Sequence, residues 1–187
     1  MIDTERRTFI LKDEKMIAAE RQEFIISQLK KSKEPISGNQ FAKMTNVSRQ
    51  VIVQDISILK AKKEPIVATS QGYIYFQEEA DKGLEKRVIV CKHAPEQTRE
   101  ELYTIVDHGV TVKNVIVEHP VYGDITADLR LSNRKEVDHF IKKVEETNSP
   151  YLLTLRDGLH LHTIEADSVD KIDEVCEELE RKGILIK

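Results

Sequence analysis

The sequence predicts an α+β chain in two modules: three helices with a terminal hairpin, then an α/β sandwich on a mostly antiparallel sheet. Three observations carry this. Before residue 63, apolar residues recur near a 3.6 period in three short stretches, each closed by a turn or a proline. From residue 87 onward, runs rich in Val and Ile alternate with amphipathic stretches. Charge divides the same way: residues 15–77 hold ten Lys/Arg against five Asp/Glu, and residues 84–187 hold fifteen against twenty-one. A basic front with an acidic back suits a polyanion-binding module joined to something else. The boundaries are set at 14–80 and 84–187, with a polar linker between them.

Composition narrows the setting. Of 187 residues, 40% are hydrophobic and 33% charged, enough for a core under a well-solvated surface. No apolar run approaches the ~18–20 residues of a membrane span, and the start lacks the apolar core of a secretory signal. Cys91 and Cys176 each sit among apolar residues, so they read as reduced core residues of a cytoplasmic protein. Residues 1–12 offer no clear partner for their apolar side chains and carry no functional assignment.

Within the first module, 14–31 reads as a helix burying Ile17, Phe24, Ile25 and Leu29. Ser37 can cap a short helix at 39–44 that buries Phe41 and Met44. Thr45-Asn46-Val47 is a tight turn, and Ser48 caps a third helix reaching about residue 62. Ile52, Ile56 and Leu59 form its inner stripe; Arg49, Gln50, Val53 and Gln54 face outward. Pro65 closes it, and 66–69 and 73–76 flank Ser70-Gln71-Gly72 as a hairpin. Three helices, a tight turn before the third and a hairpin after it describe a winged helix-turn-helix. Ser48, Arg49, Gln50 and Gln54 are the candidate DNA-binding residues, because the first turns of such a helix meet base edges in the major groove. Double-stranded operator DNA is the expected partner; the bland alternative is a three-helix module that binds protein.

In the second module, 87–92 reads as a strand. Pro95 opens a helix that His108-Gly109 ends. Strands at 111–118 and 124–131 flank a turn, 133–146 is a helix that Ser132 can cap, and 151–155 with 159–164 reads as a second hairpin. Asp167 or Ser168 caps a last helix to 182, and 184–186 ends the chain.

His160 and His162 fall two apart on an alternating strand, so they share one face and start ~6.5–7 Å apart at the backbone. Two imidazoles so placed can converge on one ion at ~2.0–2.1 Å. The bland reading is a half-exposed strand with two solvated histidines. His93 and His119 stand at the ends of other strands. His108 reads as a helix C-terminal residue and His139 as solvated surface.

Cys91-Lys92-His93, then Glu100-Glu101-Leu102, then the run from Val117 through His119-Pro120-Val121-Tyr122 to Gly123, then Leu159-His160-Leu161-His162-Thr163, together resemble the three-histidine (3H) domain. The run from Val47 to Ile56 resembles the recognition helix of bacterial repressors with this type of winged helix. In the bacterial family that joins the two, the chain is a nicotinate-responsive repressor of NAD biosynthesis or niacin uptake genes. The resemblance implies one divalent transition metal per chain (Zn, Ni, Mn or Fe), held by His93, Glu101, His160 and His162, with Glu100 an adjacent alternative to Glu101. It also implies nicotinic acid as co-repressor beside the metal, contacts to its ring from His119 and Tyr122, a homodimer, and no membrane and no enzyme activity. A metalloenzyme and a purely structural metal site are the rival readings; no general base or nucleophile is placed by motif to serve the first.

Overall fold

The computed structural model describes residues 16–76 and 83–186. The expected leader at 1–12, residues 14 and 15 of the first expected helix and most of the linker lie outside the described residues. The described chain forms two compact units.

In the N-terminal unit, α1 (Ala18–Lys31), α2 (Gly38–Thr45) and α3 (Arg49–Ala61) are followed by β1 (Ile66–Ala68) and β2 (Tyr73–Tyr75). Ser37 and Gln40 form a reciprocal capping box at the start of α2, and Asn46 turns the chain in the left-handed region at φ 53°. Ser48 caps α3 by accepting from the Val51 amide. The core is Ile25, Leu29, Ile36, Phe41, Ile52, Ile56, Leu59 and Ile66. β1 and β2 pair antiparallel, and Ile36 bridges Tyr73.

Two expectations for this unit need correcting. Helix α1 begins at Ala18, so Ile17 lies before it and is 62% exposed, while Phe24 is only half-buried. The buried stripe is Arg21, Ile25 and Leu29, at i, i+4 and i+8. Arg21 is tolerated there because Asp55 on α3 accepts its Nε–H at 2.5 Å, and Gln22 donates to the same carboxylate at 3.1 Å. Met44, expected inside, is 52% exposed: on so short a helix Phe41 and Thr45 already occupy the inner face.

In the C-terminal unit, β3 (Glu85–Lys92), α4 (Thr98–Asp107), β4 (Thr111–His119), β5 (Gly123–Leu131), α5 (Arg134–Thr147), β6 (Leu159–Ala166) and α6 (Val169–Arg181) follow one another. A 3₁₀ turn at Pro95–Gln97 leads into α4. The sheet order is β3-β6-β4-β5, and every pair is antiparallel. The apolar side of all three helices packs into one core with Ile89, Val112, Leu131 and Ile164 of the sheet.

The expected hairpin of 151–155 with 159–164 does not form. Leu152–Arg156 is a 3₁₀ helix, and β6 lies between β3 and β4. Both hydrogen-bonding edges of β6 are thereby taken, so no third strand can pair with it. Asn133, not Ser132, caps α5 by accepting from the Glu136 amide; the Ser132 hydroxyl is engaged by Thr111 at 2.9 Å. Ser168 caps α6. Leu185 bridges Cys91 on the outer side of β3.

Candidate metal and ligand site

β6 places its histidines inward. His160 and His162 are 1% and 2% exposed, on the same face as Ile164 and Ala166, while Leu159 and Leu161 on the other face are half-buried. The reading of two solvated histidines therefore does not hold. His93, the residue after β3, continues the period-two spacing of Ile89 and Cys91 and is also buried. From the helix side, Thr98, Glu101, Leu102 and Ile105 form the inner face of α4 at i, i+3, i+4 and i+7.

All three imidazoles meet Glu101. His93 Nε2 lies 2.8 Å from one carboxylate oxygen, His160 Nε2 3.1 Å from the other, and His162 Nε2 3.5 Å from the first. Each Nδ1 is already used: by the Ala94 carbonyl at 2.8 Å, the Gly158 carbonyl at 2.9 Å and the Asn114 carbonyl at 2.7 Å. A carbonyl only accepts, so each Nδ1 carries a proton, and a ring left neutral would present an Nε2 lone pair to the carboxylate. Acceptors facing acceptors in a dry interior require a cation or added protons between them.

The protonation equilibria show the same strain. Burial alone would make His93 and His162 less basic, but the Glu101 carboxylate outweighs it and both are raised above 6.5. Burial would raise Glu101, yet the charge of His162 and hydrogen bonds from the three imidazoles hold it well below its usual 4.5.

Local backbone features set these positions. The β4 register shifts between Val112 and Asn114, and there the Asn114 side chain accepts the Thr163 amide at 3.0 Å while its carbonyl holds His162. Gly158 has φ +87°, and a Cβ on it would overlap the His93 carbonyl. Cys91, read from sequence as a plain core residue, stands opposite His160 across the ladder; its thiol, Glu101 and His160 bring ligand atoms within 4.8 Å of one another. Burial, with Glu101 beside it, pushes the Cys91 thiol far up, so it stays protonated unless a cation stabilises the thiolate.

Beside the histidines lies a cavity of about 140 Å³, lined by Leu102, Val115, Leu129, Phe140, Tyr151 and Leu153, with Glu101, His160 and His162 also in its wall. That volume is close to the ~150 Å³ of an engineered apolar cavity that holds one benzene ring.

On the N-terminal unit, Ser48, Arg49, Gln50, Val53, Gln54 and Ser57 are exposed along one side of α3. Ile52, Asp55, Ile56 and Leu59 hold its opposite side in the core.

Residues 86–187 match the 3H domain model, and residues 21–74 match an HTH domain model. The chain is 55% identical over 174 residues to the transcription repressor NadR of Bacillus subtilis, covering 92% of this chain and 97% of that protein. It is 43% identical over 173 residues to the probable transcription repressor NiaR of Thermotoga maritima, covering 92% of this chain and 97% of that one. The chain belongs to this family of transcription repressors.

The repressor is a DNA-binding protein and not an enzyme. Among its described residues, no helix is long and apolar enough to cross a membrane. Of the residues expected at the site, the repressor brings together His93, Glu101, His160 and His162. Glu100 points away and pairs with Lys182 at 2.8 Å. His119 and Tyr122 sit together in the β4–β5 turn, ring centres 4.9 Å apart, and neither lines the cavity. Tyr122 is 78% exposed, and His119 Nδ1 accepts from the amides of its own turn. Thr98 and Asn114 went unread from sequence, and Cys91 and Gly158 were read without a part in the site. Only Gly158, between two polar residues and a β run, left a local signal, and that signal was read as a hairpin turn.

Proposed function

We propose that the C-terminal module, 84–187, holds one divalent transition metal through His93, Glu101, His160 and His162, and that nicotinic acid binds the adjacent cavity as co-repressor. The module at 14–80 then reads operator DNA as part of a homodimer, with Ser48, Arg49, Gln50 and Gln54 at the DNA. The genes controlled are those of NAD biosynthesis or niacin uptake.

One observation carries the metal: three Nε2 atoms, each fixed by a carbonyl on its Nδ1, face a single buried carboxylate. Imidazoles oriented through their other nitrogen are the usual arrangement around a bound metal. Three imidazoles with one carboxylate suit Zn²⁺, Ni²⁺, Mn²⁺ or Fe²⁺. The cavity supports an aromatic effector, since apolar walls and two rings, Phe140 and Tyr151, adjoin the histidines. Contacts to the ring are assigned to those walls rather than to His119 and Tyr122. Bound metal would supply the positive charge that an aromatic carboxylate needs in a wall without Lys or Arg.

The test is metal analysis followed by calorimetric titration of nicotinate and nicotinamide. One metal per chain and metal-dependent nicotinate binding support the reading. A His160→Ala, His162→Ala protein that retains a full equivalent of metal refutes it.

A further inference from the structure

Thr98 opens α4 three residues before Glu101, on the same inner face. It is 5% exposed, and its hydroxyl has no hydrogen-bond partner among the described residues. It also lines the cavity beside the histidines. A buried hydroxyl without a partner destabilises a fold, and valine would fill the same space without that cost. A polar group kept in such a place points to a ligand that completes its bonding.

The rest of the wall narrows what that ligand offers. Glu101, His160 and His162 face one another, and no Lys or Arg lines the cavity. With metal bound the imidazoles are neutral, so an anionic group finds no side-chain cation in the wall and meets positive charge at the metal. With the carboxylate engaged at the metal, the acceptor left on the ring for the Thr98 O–H is its nitrogen. We infer that Thr98 is the specificity-determining contact of this cavity, donating its hydroxyl proton to a ring nitrogen of an aromatic carboxylate whose carboxylate meets the metal. This rests on the cavity being the effector site proposed above. It adds the orientation of the ligand and the residue that tells a pyridine ring from a benzene ring.

The test compares nicotinate with benzoate, which has the same carboxylate and shape but no ring nitrogen. Calorimetry on metal-loaded wild type should show nicotinate binding more tightly. Thr98→Val should weaken nicotinate about tenfold and leave benzoate unchanged, the loss expected for one hydrogen bond. Thr98→Ser should restore the preference. Ligand-free Thr98→Val should melt at the same temperature as wild type or higher, because an unpaired hydroxyl has been removed; a residue with a structural role would do the reverse. Tyr151→Phe removes the other hydroxyl of the wall and should leave the preference intact. Equal weakening of both ligands in Thr98→Val, or a preference that follows Tyr151, overturns the inference while leaving the effector site standing. Wild-type protein that binds neither ligand with metal present overturns both.

Discussion

The protonated nitrogen on each imidazole decides what the opposite nitrogen can do. With three Nδ1 atoms donating to carbonyls, the three Nε2 atoms are committed to whatever lies near Glu101. In metal-free protein, protons on His93 and His162 take that place. Imidazoles raised above 6.5 give stability that is complete below that pH and lost as pH rises through their higher folded values. Glu101, held low, contributes above 4.5 and loses its contribution only as pH falls through its depressed value. A metal bound there as proposed would replace those protons, so its stabilising effect should grow as pH rises past 6.5. Thermal unfolding with and without divalent metal, at about pH 5.5 and about pH 8, checks this. An equal increment at the two values would mean that the metal does not displace protons from these imidazoles. Gly158 is the other sensitive residue. Gly158→Ala puts a Cβ into the His93 carbonyl at a positive φ, and should destabilise the fold by about 1–3 kcal/mol while lowering metal affinity at least ~10-fold. Unfolding and metal titration of the variant read the two effects separately; unchanged metal affinity would show that the His93 backbone is not held by this contact.

Among the elements, α1 and α3 are joined by a charge pair as well as by apolar packing. Asp55→Ala leaves the Arg21 guanidinium buried beside an apolar gap, and should cost about 3 kcal/mol in unfolding free energy. A change below about 0.5 kcal/mol would mean that water reaches Arg21 freely. On the opposite side of α3, Arg49→Ala and Gln50→Ala should weaken operator binding by about 1–3 kcal/mol per lost base contact with unfolding unchanged. Gel-shift affinity equal to wild type in the double variant would remove α3 from the DNA. Periodicity made α3 legible because Ile52, Ile56 and Leu59 are apolar and regularly spaced. For α1 it found Ile25 and Leu29 but missed Arg21, a paired charge at a core position that a hydrophobic pattern assigns to its neighbours. It failed again at 151–155, because strand pairing is settled by edges occupied far away in sequence, here by β3 and β4. His160 and His162 were legible as a pair at period two, but which face they take depends on the helices above. Glu101 over Glu100 depends on the rotation of α4, and a one-residue choice of that kind lies below the resolution of a hydrophobic stripe. Thr98 and Asn114 carry no motif at all; an unpaired hydroxyl and a bulge exist only once the chain is folded.

For the whole molecule, the proposal is one of linkage between two modules. An effector shifts a DNA-binding equilibrium only by its difference in affinity for the competent and incompetent arrangements. If nicotinate tightens operator binding by some factor, operator must tighten nicotinate binding by the same factor, typically 5–150-fold for a coupling of ~1–3 kcal/mol. The basic front of the chain should make DNA affinity salt-dependent, so the coupling has meaning only at fixed ionic strength. The most direct measurement is operator affinity at one salt concentration, with and without nicotinate, before and after metal is chelated. Nicotinate should tighten binding only in the metal-loaded protein, leaving the other three conditions equally weak. Equal affinity in all four would contradict the account, and would leave the histidine cluster and its cavity with no part in repression.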